Sequence, residues 1–456
     1  MNAERVSAAR PPEGANAPSG GSDPHGVGER GGYITQTLAQ KLIARAAGRD
    51  AVTPGEIVTC KVDLAMFHDS SGPRRLKPML EALGASVWDK SKVVLVMDHY
   101  VPEQDDEARR IVRIARDWAR DQQLPHVYDS QGICHVVVPQ HGHIRPGMFC
   151  VGGDSHSPTG GAFGAYMFGI GSTEMLGVVV TGEIWLRVPR TIRMQWDGQL
   201  APGVVAKDMM LHMIGRFGMN GGQYQAVEFC GSGVRALGMA ERMTLSNMSA
   251  ELGAQAGLVA PDAVTQDWLA ATGAPAVDIS GLHTDAAAID APGCETHRFD
   301  AAALEPFVAA PHSPANAQGV SRFAGTAVNV AYIGACTGAK LEDLRAAAQV
   351  LRGCKVAPGV RLMVAPASLK DQEAARTEGV LQVLLDAGAE LLPTACSACA
   401  GYGGTMPDDS TVISSTARNF KGRMGSPTVR VYLASPYTVA ASALRGVITD
   451  PREVMR

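Results

Sequence analysis

The chain has 456 residues. That is too long for one hydrophobic core, since cores stop growing near ~250–300 residues, so two or three domains are expected. A composition of 46% hydrophobic and 19% charged residues excludes a disordered or fibrous chain. A formal net charge of −4 provides no basic field for nucleic acid or anionic lipid, and neither partner is expected.

Met1 to Gly32 is rich in Pro, Gly, Ser and Ala and lacks the apolar run of an export signal; it reads as a disordered extension. The longest nearly uncharged stretch, Ser155 to Thr173, is too broken by glycine to span a membrane, so no membrane partner and a cytoplasmic location are expected. Nine cysteines without an export signal point to free thiols or metal ligands rather than disulfides.

From Gly32 onward, short β-branched runs alternate with helix-like segments, the pattern of an α/β fold with mainly parallel strands. Strands are predicted at Lys92–Met97, His135–Pro139, Met148–Gly152, Ala226–Phe229, Val328–Gly334, Arg361–Ala365, Thr411–Ser414 and Arg430–Leu433. Most run directly into polar or Gly-rich residues, where ligands of open α/β sheets bind. Helices are predicted at Lys340–Leu351 and Glu378–Ala387, and after Pro202 and Pro436. A boundary or linker is expected around the Ala- and Pro-rich stretch Asp290 to Gln318, and a further, softer boundary near Leu200. The resulting domains are 33–200, 201–295 and 296–456, and there is no solenoid repeat.

Three cysteines stand apart: Cys336 in Ile-Gly-Ala-Cys-Thr-Gly-Ala-Lys, and Cys396 and Cys399 in Cys-Ser-Ala-Cys-Ala-Gly-Tyr-Gly-Gly. Small neighbours let backbone N–H groups approach thiolates or cluster sulfides. A lone C-x-x-C also suits a zinc half-site or a redox pair, and a cysteine after an apolar run also suits simple burial. Against zinc, no second C-x-x-C or H-x3-H supplies the remaining ligands. Three thiolates suit a cubane with one iron free of protein ligands, able to act as a Lewis acid.

The order of these motifs, followed by Ser415-Thr416 and then Arg418-Asn419-Phe420-x-Gly422-Arg423, resembles the aconitase superfamily over about Gly32 to the C-terminus. The layout is most similar to its two-subunit branch, the isopropylmalate dehydratase and homoaconitase large subunits. This resemblance implies three α/β/α domains around a 4Fe-4S cluster, held by Cys336, Cys396 and Cys399, with one open, substrate-binding iron. Two positions depart from the family: Gly338 and Ala417 stand where asparagines are common.

Dehydrating a hydroxy acid requires an acid for the leaving hydroxyl, a base for a carbon-bound proton, and cations for carboxylates. The sequence offers Asp98-His99, His135, Asp154-Ser155-His156 and Glu228 at the ends of predicted strands. The resemblance implies the pairs Asp98 with His99, Asp154 with His135, and Glu228 with His156, and makes His99 the proton donor. It also implies that Arg418 and Arg423, helped by Ser155 and Asp69, bind substrate, since guanidinium groups take carboxylates bidentately. The run Gly160 to Gly171 lacks the dinucleotide fingerprint and is read as tight packing behind the Asp154 loop.

Single-chain aconitases carry a fourth, swivelling domain that supplies the catalytic base. This chain is expected to lack it and to work with a separate small subunit. The function implied is a hydro-lyase isomerising 3-isopropylmalate and 2-isopropylmalate, or acting on another malate derivative such as dimethylmalate or homocitrate. A cluster-sensing RNA-binding regulator is a reading of another class, disfavoured by the charge; a zinc-stabilised non-enzyme is a third.

Overall fold

Residues 35–401 and 406–455 are described in a computed structural model of the chain, the side chains of Ser397 and Ala400 excepted. The expected extension Met1 to Gly32 lies outside the described residues, as do Tyr402, Gly403 and Gly404 of the C-x-x-C motif.

Strand β1 (Ile57–Lys61) precedes a five-stranded parallel sheet made of β2 (Leu64–His68), β3 (Val93–Met97), β4 (His126–Asp129), β5 (Phe149–Gly152) and β6 (Tyr166–Gly169). Their order is β4-β3-β2-β5-β6. Strand β7 (Glu183–Arg187) then returns antiparallel to β1. A second parallel sheet holds β8 (Thr191–Asp197), β9 (Ala226–Cys230), β10 (Ala256–Val259) and β11 (Cys294–Asp300), in the order β10-β9-β8-β11.

The third sheet comprises β12 (Phe307–Ala309), β13 (Ala317–Gly319), β14 (Val330–Ile333), β15 (Arg361–Val364), β16 (Ala389–Leu391), β17 (Thr411–Ser414) and β18 (Arg430–Ala434). Its order is β13-β12-β18-β17-β14-β15-β16, parallel except where β12 meets its two neighbours. The α/β class expected from the sequence is therefore the class observed.

Strand β3 shows why the sheets are parallel and internal. Val-Val-Leu-Val-Met is buried at every position, as a strand covered on both faces must be. The following helix Asp106–Asp121 begins where the Asp105 carboxylate accepts the Ala108 N–H at 2.7 Å. It buries Ala108, Ile111, Val112, Ala115 and Trp118 at helical spacing. Val94 and Val96 of β3 share one hydrophobic core with Ile333, Val364 and Ile413 of the third sheet, so the first and third sheets are packed as one body.

One expectation is corrected. His135–Pro139 is not a strand but part of the helix Cys134–Gln140. Every residue of that segment is buried, so no polar face betrays the helical period, and Val136-Val137-Val138 mimics strand propensity. The helix starts because the Asp98 carboxylate accepts the Cys134 N–H at 2.7 Å, a long-range cap. The stretch Asp290 to Gln318 holds β11, β12 and most of β13, and the crossing from the second sheet to the third lies within it at residues 301–306.

Candidate active site

The carboxyl ends of strands in the first and third sheets converge on one cavity of about 390 Å3. From the first sheet, β2 delivers His68, β3 leads into Asp98-His99, and β5 leads into Asp154-Ser155-His156. From the third, β14 leads into Cys336, β16 into Cys396 and Cys399, and β17 into Arg418. The halves are stitched through backbone: the Cys396 N–H donates to Asp98 O at 2.9 Å, and Ile133 N–H to Ala367 O at 2.8 Å. Gly132 is required at this seam, because a Cβ there would lie 2.4 Å from the Ser368 Cα.

In the first half, His99 Nδ1 lies 2.7 Å from Asp98 Oδ1, and the other Asp98 oxygen holds Cys134 N–H. Burial opposes both charges, but the mutual attraction of the pair wins: Asp98 is drawn down to about 2 and His99 up to about 10. The His68 ring stacks on His99 with centroids 3.9 Å apart. Asp154 accepts from His135 Nε2 at 2.6 Å and from the His156 N–H at 2.7 Å. Burial again opposes its charge, yet the neighbouring imidazoles hold Asp154 well below the usual carboxylate range. The glycine run behind this loop allows the close approach: a Cβ at Gly169 would meet Asp154 O at 2.5 Å.

The partner expected for His156 is corrected. Glu251, not Glu228, faces it, with Oε1 at 2.9 Å from His156 Nε2 and at 2.6 Å from Arg418 Nε. Glu251 is fully buried; although burial disfavours its charge, His156 and Arg418 lower its pKa. Glu228 lies inside β9, where it accepts from Thr284 and stands 3.5 Å from Arg193 Nε. It does not line the cavity, and burial raises its pKa. Strand β9 belongs to the second sheet, whose ends are not those that form the cavity floor.

Asp69 is likewise corrected as a substrate contact. Its carboxylate is fully buried and accepts the backbone N–H groups of Ser70 at 3.0 Å, His99 at 3.2 Å and Tyr100 at 2.8 Å. It fixes the loops that present His68 and His99. Ser155 does line the cavity, and its hydroxyl accepts from Arg418 Nη1 at 2.9 Å.

In the second half, Cys336, Cys396 and Cys399 all line the cavity, beside Arg423. Asn247 Nδ2 donates to Cys336 Sγ at 3.2 Å and to Thr159 Oγ1 at 2.8 Å. The Cys396 thiol donates to Cys399, and Arg423 adds its charge, so the Cys399 pKa falls despite burial. Two buried lysines hold the loops from behind. Lys207 Nζ donates to the carbonyls of Ser415 at 2.7 Å and Thr416 at 2.8 Å. Lys340 Nζ donates to Cys336 O at 3.0 Å. Gly338 has a steric reason: a Cβ there would fall 2.3 Å from the Ser415 Cβ, and the Ser415 hydroxyl bridges to Gly334 and Gly338 instead.

These residues fit an iron–sulfur cluster. Thiolates of one zinc lie roughly 3.8 Å apart, given Zn–S bonds of ~2.3 Å. Among the described residues the three cysteine sulfurs do not fall together within 4.8 Å, as a single ion requires. The buried Nε of Arg423 also has no protein acceptor and would find one in a cluster sulfide or a bound carboxylate.

Sequence reasoning missed His68, Ser70, Ser71 and Arg75, all of which line the cavity, and Glu251, Asn247, Lys207 and Lys340 around it. His68-Asp69 carried the same signal as Asp98-His99, an imidazole and a carboxylate at a strand end. Nothing in the sequence around Glu251 or Lys207 marks them as buried charges.

A sequence model of the aconitase family (aconitate hydratase) matches residues 40–326 and 321–446. The chain is 41% identical over 423 residues to the "3-isopropylmalate dehydratase large subunit 1" of Methanopyrus kandleri, covering 91% of this chain and 99% of that one. It is 38% identical over 421 residues to the "3-isopropylmalate dehydratase large subunit" of Desulfatibacillum aliphaticivorans, covering 92% and 99%. It is also 38% identical over 426 residues to the "Probable methanogen homoaconitase large subunit" of Methanothermobacter thermautotrophicus, covering 92% and 98%. With these matches along nearly its whole length, and with histidine–carboxylate pairs and three cysteines meeting in one cavity, the chain belongs to the aconitase family.

Proposed function

We propose that this chain is the cluster-bearing large subunit of a hydro-lyase that dehydrates and rehydrates a hydroxy di- or tricarboxylic acid, with 3-isopropylmalate and 2-isopropylmalate as the substrate pair. The observation that carries this reading is the seam between Cys396 N–H and Asp98 O, which sets a buried acid–base pair beside the thiols. When bound to Cys336, Cys396 and Cys399, a 4Fe-4S cluster would supply an open Lewis-acidic iron for the substrate's hydroxyl and carboxylate.

This chain's own residues supply the proton and the grip. His99, held protonated by Asp98 through Nδ1, has no hydrogen bond at Nε2 among the described residues, and that nitrogen gives the proton to the departing hydroxyl. Asp154 fixes His135 and the His156 loop, and Glu251 fixes His156 and Arg418 together. Arg418 and Arg423 are the carboxylate-binding cations, with Ser155 orienting Arg418. Arg75, on the cavity wall, is a further cation for an acidic substrate.

The carbon-proton base comes from a separate small subunit, a reading supported by relatives named as large subunits. A groove of about 800 Å3, lined by the exposed Trp185 and Tyr224, meets the cavity at Ile170 and Gly171, where a second chain could reach the reacting centre. The match to a homoaconitase large subunit keeps homocitrate-type acids as the second substrate class. The test is anaerobic co-expression with a small-subunit candidate, followed by an absorbance assay for the unsaturated acid over a panel of alkylmalates and homocitrate. Turnover that needs both chains and prefers an isopropylmalate supports the proposal; brisk turnover by the large subunit alone contradicts it.

A further inference from the structure

A second charged cavity, of about 400 Å3, lies at the amino ends of the first-sheet strands, the opposite pole from the thiols. Asp63 immediately precedes β2, Lys92 precedes β3, His126 opens β4, and Arg145 stands just before β5. Arg45 and His143 complete its charged wall. Three permanent cations and two imidazoles thus surround one carboxylate. That carboxylate is engaged, accepting the Phe149 N–H at 2.9 Å.

Among the described residues, the Lys92 ammonium and the Arg145 guanidinium make no hydrogen bond or ion pair, though both residues are half-buried. Arg45 is positioned: its Nη1 donates to Gly147 O at 2.7 Å, and a Cβ at Gly147 would lie 2.1 Å from that nitrogen. Only glycine admits the guanidinium there.

The histidine is prepared as well. Burial raises the Tyr128 pKa, and its hydroxyl is hydrogen-bonded to His143 Nε2 at 2.5 Å. Burial first, and then the charges of His126, His141 and Arg145, push the His143 pKa down to about 4.

We propose that this cavity binds a small multivalent anion bearing carboxylate or phosphate groups, at a site separate from the thiol-lined one. Planar guanidinium groups take such oxygens two at a time, the lysine adds a point charge, and the volume suits a small metabolite.

The test is calorimetric titration of the full chain with two probes, inorganic phosphate and tricarballylate, in wild type and in the variants Lys92→Gln, Arg145→Gln and Arg423→Gln. Among the described residues neither the Lys92 nor the Arg145 side chain makes a hydrogen bond, so both variants should melt with the wild type. The result expected is saturable binding of at least one probe, weakened roughly tenfold or more in Lys92→Gln and Arg145→Gln and retained in Arg423→Gln. The stronger probe then identifies the phosphate or the carboxylate as the natural group. Absence of saturable binding overturns the proposal, as does binding unchanged by Lys92→Gln and Arg145→Gln, or binding lost only in Arg423→Gln.

Discussion

The two halves of the cavity are built by different physical means. The third-sheet half relies on residue type: only cysteine supplies a soft thiolate, and Cys336, Cys396 and Cys399 have no chemical substitutes. The first-sheet half relies on pairing: each imidazole needs a carboxylate, and any nearby Asp or Glu can serve. Hence the cysteines could be picked out by spacing, whereas Glu251 was hidden behind the equally plausible Glu228. A ligand set is written in the sequence, while an orienting partner is written in the fold.

Substitutions that separate the halves sharpen this contrast. Cys336→Ser should lower activity of the assembled enzyme by at least ~10³-fold and remove iron together with it, a loss read by iron analysis. His99→Asn should lower kcat by roughly 10²–10⁴-fold while iron content stays at the wild-type level, because it removes a proton donor and no ligand. Equal iron loss in both variants would collapse the distinction.

Asp98→Asn tests the pairing principle through pH. In the wild type the His99 pKa is raised to about 10, so its protonated form contributes stability in full below ~6.5. That contribution fades as pH rises through the folded value. Without the Asp98 charge the ring pKa should fall toward ~6.5, moving the alkaline limb of kcat/KM down by about three pH units. An unmoved limb would mean that another group donates the proton.

The smallest effects compare the two glutamates. Glu251→Gln should raise KM roughly tenfold to a hundredfold and lower Tm, since buried Arg418 and His156 lose their shared counter-charge. Glu228→Gln should leave kcat/KM within about threefold of wild type, since its contacts are Thr284 and Arg193, away from the cavity. The reverse ranking in steady-state assays would restore Glu228 to the site.

Much of the fold was readable because buried parallel strands are apolar throughout. Thr411–Ser414 was placed to the residue, and Val93–Met97 within one. The helix Cys134–Gln140 was not, because full burial erased its periodicity and its cap comes from Asp98, distant in sequence. Asp69 showed a strand-end carboxylate but not its use, which three backbone N–H groups decide. Lys207 and Lys340 were invisible for a similar reason: lysine ordinarily marks surface, and only the carbonyls of Ser415, Thr416 and Cys336 show why these two are buried. Gly338 showed only a departure from the common asparagine, whereas the fold shows the Ser415 side chain occupying the space a Cβ would need.

The most direct measurement is the iron, inorganic sulfide and zinc content of the anaerobically purified full chain. About four irons with about four sulfides per chain is the predicted result. One zinc without sulfide would contradict the account.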